Sequence, residues 1–331
     1  MVSLTPEPGP HPIFGYNDDW RSQFTIDNPY PNKLDLLPAA GAEVARQLLS
    51  WGWVESLNGT RRWDFYDRFY TKLLARGVRP LWVLWGEPCW ARPPGSNCFP
   101  WALFAPPNPD NFNALADFAA EAARRYPESA GFEIWNEPNL ADAWGGAPDP
   151  AVYGQMVQKV APAIHAANPH MPVITAGLAP VGGSDVKGMD YRSYLREVYG
   201  TGAPQLADAI GAHPYPLVPY ERDYLGSIRA HMFRYLDVMA DFGDATRPIW
   251  ITEIGVSTVG EGYTSKQQAE ALARMYEMSR RIANAPVVLF HRFSDQPGQT
   301  GVKEEGYGVI TSDAQPKPAY CAIAAARGRP C

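Results

Sequence analysis

Eight short apolar runs, spaced along a chain of 331 residues, limit what it can fold into more than any other feature. They fall at residues 13–16, 43–49, 79–85, 132–137, 173–177, 209–213, 248–253 and 287–293. Between them the hydrophobic spacing is that of a helix. Tyr66, Phe69, Tyr70, Leu73 and Leu74 follow the i, i+3, i+4, i+7, i+8 series of an amphipathic helix packed on a core. Asp110 is placed to cap a helix carrying Phe112, Leu115, Phe118, Ala122 and Tyr126. Asp149-Pro150 opens one that runs to Ala167, and Thr264-x-x-Gln267 is a capping-box signature for one that runs to about Ala283. Further helices are expected over residues 33–40, 191–199 and 225–242, and from Pro318 onward. Buried strands alternating with such helices imply a parallel sheet. Eight units closing on themselves make a (β/α)8 TIM barrel, here a single domain over residues 13–331 behind a proline-rich tail of residues 1–12. An open doubly wound sheet is the alternative, but it would usually show a glycine-rich nucleotide turn after an early strand, and none is present.

The formal charge of -6 and the lack of a Lys/Arg cluster argue against a nucleic-acid partner, which would need a basic face. No run of eighteen apolar residues offers a membrane-spanning helix. Four cysteines form two close pairs, Cys89 with Cys98 and Cys321 with Cys331. An even count at short spacing suggests two disulfides and a secreted or periplasmic protein, the alternative being four reduced thiols in a cytosolic enzyme. Residues 1–6 show no charged and then apolar signal, so an exported protein would have lost its leader.

In such a barrel the reactive groups sit where the strands end, so residues distant in sequence converge there. Arg46, Asn136, Glu137, His213, Tyr215 and Glu253 all qualify. Pro138 lacks a backbone donor and biases Glu137 toward an extended conformation, which should stop the fourth strand and leave Asn136 and Glu137 at its edge. Glycoside hydrolysis needs two carboxyl groups flanking the scissile bond, one protonated and one ionised, and Glu137 and Glu253 supply a pair. Arg46 and a hydrogen bond from Tyr215 would favour the Glu253 anion, suiting a nucleophile. Glu137, facing that charge in an aromatic and partly dry setting, would be suited to general acid and then base.

Trp135-Asn136-Glu137-Pro138, His213-Pro214-Tyr215 and Ile251-Thr252-Glu253, on the fourth, sixth and seventh strands, together resemble the retaining glycoside hydrolases of clan A. Trp53-Val54-Glu55, Trp63-Asp64-Phe65-Tyr66-Asp67 and Gly77-Val78-Arg79-Pro80-Leu81 are most similar to the family 39 branch, which includes β-xylosidases and exopolysaccharide hydrolases. The resemblance implies Glu137 as acid/base and Glu253 as nucleophile. It implies Asn136 as donor to the sugar 2-hydroxyl, Arg46 and Tyr215 as supports of Glu253, and His213 beside the acid/base. It also implies a carbohydrate substrate and no cofactor.

This chain departs from the pattern in having Gly86-Glu87-Pro88 after the third strand. His291 ends the eighth strand, where many clan members have a tryptophan. Glu87 is read either as a contact to substrate hydroxyls or as a partner of loop amides. His291 is read as a satisfied barrel histidine before a catalyst. Trp85, Trp90, Trp101 and Trp144 are candidate sugar platforms, two of the four being expected to serve, while Trp82 and Trp250 should be packing. Asp18, Asp19 and Asp295 either hold hydroxyls or shape their loops. Neither H-x-H nor H-E-x-x-H occurs, so metal-dependent hydrolysis has no sequence support. The expectation is a monomeric retaining glycosidase acting in a groove, with a non-catalytic carbohydrate-binding barrel as the alternative.

Overall fold

The structure, a computed structural model, describes residues 11–18, 33–96, 98, 105–181, 187–217, 223–260, 262–282, 284–296 and 303–331. Eight strands form one parallel sheet in the order β5-β4-β3-β2-β1-β8-β7-β6. They are β1 (Ile13–Asn17), β2 (Val44–Leu49), β3 (Arg79–Leu84), β4 (Gly131–Ile134), β5 (Val173–Thr175), β6 (Ile210–Ala212), β7 (Ile249–Ile254) and β8 (Val287–His291). Parallel bridges from Ile174 to Ala209 and from Leu178 to Ala212 join the two edges, closing the barrel. The main helices follow the strands as expected. Asp149 caps Pro150–Ala167 by accepting from the Val152 amide at 2.9 Å, and Thr264 and Gln267 form the capping box of Ser265–Ser279. Asp110 does not cap Phe112–Arg125. A short 3-10 turn precedes that helix, and Asn108 accepts from the Asp110 amide instead.

Strand side chains alternate between two environments with period two, because successive residues point to opposite faces. On the strands Val44, Leu81, Ile174, Val287 and Leu289 form a small cluster inside the barrel, joined by Ala130 and Ala209 from just before β4 and β6. Ala45, Leu49, Trp82, Phe132, Ile134, Val288 and Phe290, of the opposite parity, join the large cluster under the helices. Trp82 belongs to that outer core, fully buried, with its indole Nε1 donating to Ser129 Oγ at 2.8 Å. Above the apolar inner layer the same inward parity carries Arg46 on β2 and Glu133 on β4, buried side chains that pair at 2.6 Å. The barrel interior is therefore apolar at its floor and polar toward the C-terminal ends of the strands, where the loops open.

Candidate active site

A cavity of about 1050 Å³ lies at the C-terminal face, lined among others by Asn17, Arg46, Trp53, Trp85, Asn136, Glu137, Tyr215, Glu253, His291, Glu304 and Tyr307. Period-two alternation would let only one of two consecutive residues face the axis. Both carboxylate-bearing strands break that rule where they end. After β4 the backbone turns left-handed at Trp135 (φ 74) and again at Glu137 (φ 45), so Asn136 and Glu137 both reach the cavity. The extended conformation expected before Pro138 is not adopted. The Glu137 amide instead donates to the Gly177 carbonyl at 3.1 Å, and the Leu140 amide to the Glu137 carbonyl at 2.9 Å, which hold the turn. Left-handed backbone at a non-glycine residue costs on the order of 1–3 kcal/mol and is found where surrounding contacts impose it. On β7 the pairing with β8 shifts register between Ile251 and Ile254, and Thr252 and Glu253 both point inward.

Glu253 is held on both oxygens. Its Oε1 accepts from Arg46 at 2.5 Å and from Asn17 Nδ2 at 2.7 Å, and its Oε2 from the Tyr215 hydroxyl at 2.9 Å. Burial alone would raise its pKa. His213, Arg46 and His291 beside it and the Tyr215 hydrogen bond outweigh that, holding the carboxyl well below the usual carboxylate range. Burial and the Glu253 charge together push the Tyr215 phenol up, so it stays a neutral donor. Arg46 spends its fork on three partners, adding Glu133 Oε2 through Nε at 2.6 Å and Asn136 Oδ1 at 2.7 Å. A guanidinium only donates, so Asn136 must turn its oxygen to Arg46 and is left with its NH2 as the free end.

Glu137 Oε1 lies 2.8 Å from His213 Nδ1, and its side chain keeps 20% of its surface open to the cavity. Beyond Glu253, Asn17 Nδ2 also meets His291 Nδ1 at 3.0 Å, while His291 Nε2 meets Glu304 Oε2 at 3.0 Å. His291 is thus bonded on both nitrogens and faces the cavity.

The remaining sequence candidates divide. Trp85 lines the cavity, as does Trp53, which was not among the expected platforms. Trp90 packs edge-on against Trp51 with centroids 5.1 Å apart, and Trp144 is buried against Trp135 and Tyr153, so neither lines it. Trp101 and Asp19 lie outside the described residues. Glu87 also stays out of the cavity. It is buried beneath the third-strand loop with Arg92 Nε at 3.5 Å, and burial, against that nearby charge, pushes its carboxyl up to about 8. Asp295 pairs with Lys317 at 3.0 Å and accepts from the Gly308 amide, shaping its loop rather than facing the cavity. Asp18, buried, accepts from Arg292 and from the Ser294 amide at the cavity wall. Both cysteine pairs are disulfide-bonded. Among the described residues no helix is long and apolar enough to cross a membrane.

Asn17, Glu133, Thr252 and Glu304 were missed from sequence. Glu133 was legible by parity alone: in a strand buried on both faces, a charged residue two positions from Gly131 can only point into the barrel.

No protein-family model and no curated protein matches the sequence. Solved structures do match its fold. A family 39 glycoside hydrolase from Bacteroides cellulosilyticus WH2 superposes with a TM-score of 0.73 at 22% identity, over 95% of this chain and 63% of that one. A monomeric β-xylosidase from Caulobacter crescentus CB15 gives 0.74 at 20%, over 96% of this chain and 68% of that one. An exo-β-1,4-mannosidase from Opitutaceae bacterium strain TAV5 gives 0.69 at 18%, over 96% and 59%. The chain thus spans about three fifths to two thirds of the length of these proteins, and over that part it shares with them the (β/α)8 barrel fold.

Proposed function

We propose that the chain is a retaining glycoside hydrolase that cleaves a β-linked glycosidic bond by double displacement, with Glu137 as acid/base and Glu253 as nucleophile. The observation that carries this reading is the spacing of the carboxylates: an oxygen of each lies within 4.8 Å of the other. Retaining pairs stand about 5–5.5 Å apart, whereas inverting pairs leave about 6.5–9.5 Å for a water. The unequal surroundings of the two groups support it. Glu253 is locked as an anion aimed at the cavity, and Glu137 has a proton partner in His213. In the first half-reaction Glu253 attacks the anomeric carbon while Glu137 protonates the leaving oxygen. In the second, Glu137 takes a proton from the water that displaces Glu253. Asn136, with its NH2 free, is suited to hold the sugar 2-hydroxyl, and Trp53 and Trp85 offer faces on which sugars could stack.

Because the similar structures include a β-xylosidase and an exo-β-1,4-mannosidase, β-xylosides and β-mannosides are the first probes. We further propose an exported monomer: the two disulfides fit an oxidising compartment, and one of the similar proteins is a monomer. The test is proton NMR of the first sugar released from a panel of aryl β-glycosides and β-linked oligosaccharides. The β-anomer appearing first is expected. The α-anomer first would mean inversion, and binding without turnover would favour a carbohydrate-binding barrel.

One observation bears on metal-dependent hydrolysis. Glu137, His213 and Glu253 present three ligand atoms within 4.8 Å of one another. Arg46, 2.5 Å from Glu253, places a fixed positive charge against that cluster, which opposes a divalent cation there. Activity that survives exhaustive chelation is the expected result.

A further inference from the structure

Glu133 takes no part in that double displacement, yet it is a fully buried carboxylate linked to both halves of the pair. Its Oε2 faces Arg46 Nε at 2.6 Å; its Oε1 faces the Gly177 amide and Thr252 Oγ1, each at 2.9 Å. Thr252 Oγ1 in turn lies 3.1 Å from His213 Nε2. A hydroxyl has one proton, and a carboxylate only accepts. Thr252 therefore donates to Glu133, and the hydrogen on its other side belongs to His213 Nε2. That leaves Nδ1, without a hydrogen in the neutral ring, against Glu137 Oε1 at 2.8 Å. A contact this short between two acceptors requires one proton between them.

We propose that Glu133 and Thr252 are positioning residues that fix His213 in the Nε2–H tautomer, so that one proton is held between His213 Nδ1 and Glu137 for delivery to the leaving group. The inference rests on the acid/base reading of Glu137. If the pair lost its proton, the Nδ1 lone pair would face a carboxylate, a repulsion that raises the proton affinity of the pair as a whole. Were the ring free to change tautomer, Nδ1–H would instead stabilise the Glu137 anion and release the proton at lower pH. In the first half-reaction the proton moves from the pair to the glycosidic oxygen as the C1–O bond breaks and the bond from Glu253 to C1 forms. In the second, a water O–H breaks, its proton returns to the pair, and the water oxygen replaces Glu253 on C1.

The other groups around the ring agree with this. Glu253 Oε2 stands 3.9 Å from Nδ1, Arg46 lies beyond it, and the Tyr215 ring is edge-on at 6.4 Å. From the helix Tyr224–Asp241, Tyr235 is held by the Leu178 carbonyl. Burial would lower the His213 pKa, but the Glu253 and Glu137 charges prevail and raise it. Gly177 makes the arrangement possible: a Cβ there would lie 2.2 Å from His213 Cδ2 and Nε2 and 2.8 Å from Thr252 Oγ1.

The experiment combines ring-15N-histidine NMR of the wild type, with His213→Asn for assignment, and pH profiles of kcat/KM for wild type, Thr252→Val and Thr252→Ser. Each profile is taken on an alkyl and on a dinitrophenyl β-glycoside. We expect the Nε2–H tautomer in the wild type. In Thr252→Val the alkaline limb should fall by about one pH unit, and the alkyl glycoside should lose at least about tenfold more than the dinitrophenyl one, which needs little protonation. Thr252→Ser should restore both. An Nδ1–H tautomer in the wild type overturns the inference without reference to activity. Equal losses on both substrates with an unmoved limb overturn it too. A wild type that turns over no glycoside sinks the acid/base reading itself, while the NMR arm still decides the tautomer.

Discussion

At the scale of single residues, Arg46 does the most to define the site. Three nitrogens of one guanidinium bind Glu133, Glu253 and Asn136 at 2.5–2.7 Å, fixing the proposed nucleophile, the buried carboxylate below it and the amide beside it in one plane of donors. A lysine keeps the charge but cannot reach three acceptors in a fork. We therefore expect Arg46→Lys to fold and to lose about 100- to 1,000-fold in kcat, with a smaller change in KM, as is typical when one fixed electrostatic contact to the reacting centre is removed. Steady-state kinetics on an aryl β-glycoside decide this; a variant with wild-type kcat would show that the fork is structural only. Glu137, Tyr215 and Glu253 were legible as cavity residues because each was read at a strand end in a familiar order, and Arg46, read the same way, reaches the cavity from within β2. Asn17 ends β1 and Thr252 stands beside Glu253 in a quoted motif, yet neither was read as part of the site, and Glu304 comes from a stretch with no pattern of its own.

At the scale of elements, alternating strands and helices specified the barrel, and the capping signals at Asp149 and Thr264 placed two helix starts. Where β4 and β7 leave regular geometry, sequence rules failed for a physical reason. Tertiary hydrogen bonds to Gly177 and the register shift against β8 override the local preference of the residue before proline and the period of two. The third-strand loop gives a second case: of the two readings of Glu87, the contact to substrate hydroxyls fails, because the side chain is buried beneath the loop beside Arg92. Its raised folded pKa, about 8 against about 4.3 in the unfolded chain, has a definite sign. The folded state binds the extra proton between those values, so this contribution is complete below pH 4.3 and is lost as the pH rises through 8. Glu87→Gln, which mimics the protonated form, should melt close to wild type at pH 5 and clearly above it at pH 9. Melting curves at the two pH values test this, and a gap that narrows with rising pH would contradict it.

At the scale of the molecule, a closed barrel with an apolar floor and a charged mouth presents two carboxylates to one cavity in unequal states. Glu253 is surrounded by donors and positive charge, whereas Glu137 meets a single histidine and open space. That asymmetry is what a double displacement requires, and it leads to distinct chemistry when each group is deleted. The most direct test is azide rescue of Glu137→Ala and Glu253→Ala on the best activated aryl β-glycoside, with the products identified by NMR. We expect azide to restore Glu137→Ala by trapping the glycosyl-enzyme as the β-glycosyl azide, and to restore Glu253→Ala by direct attack to give the α-glycosyl azide. The opposite pairing of variant and anomer would reverse the roles, and unassisted wild-type turnover by either variant would contradict its assignment.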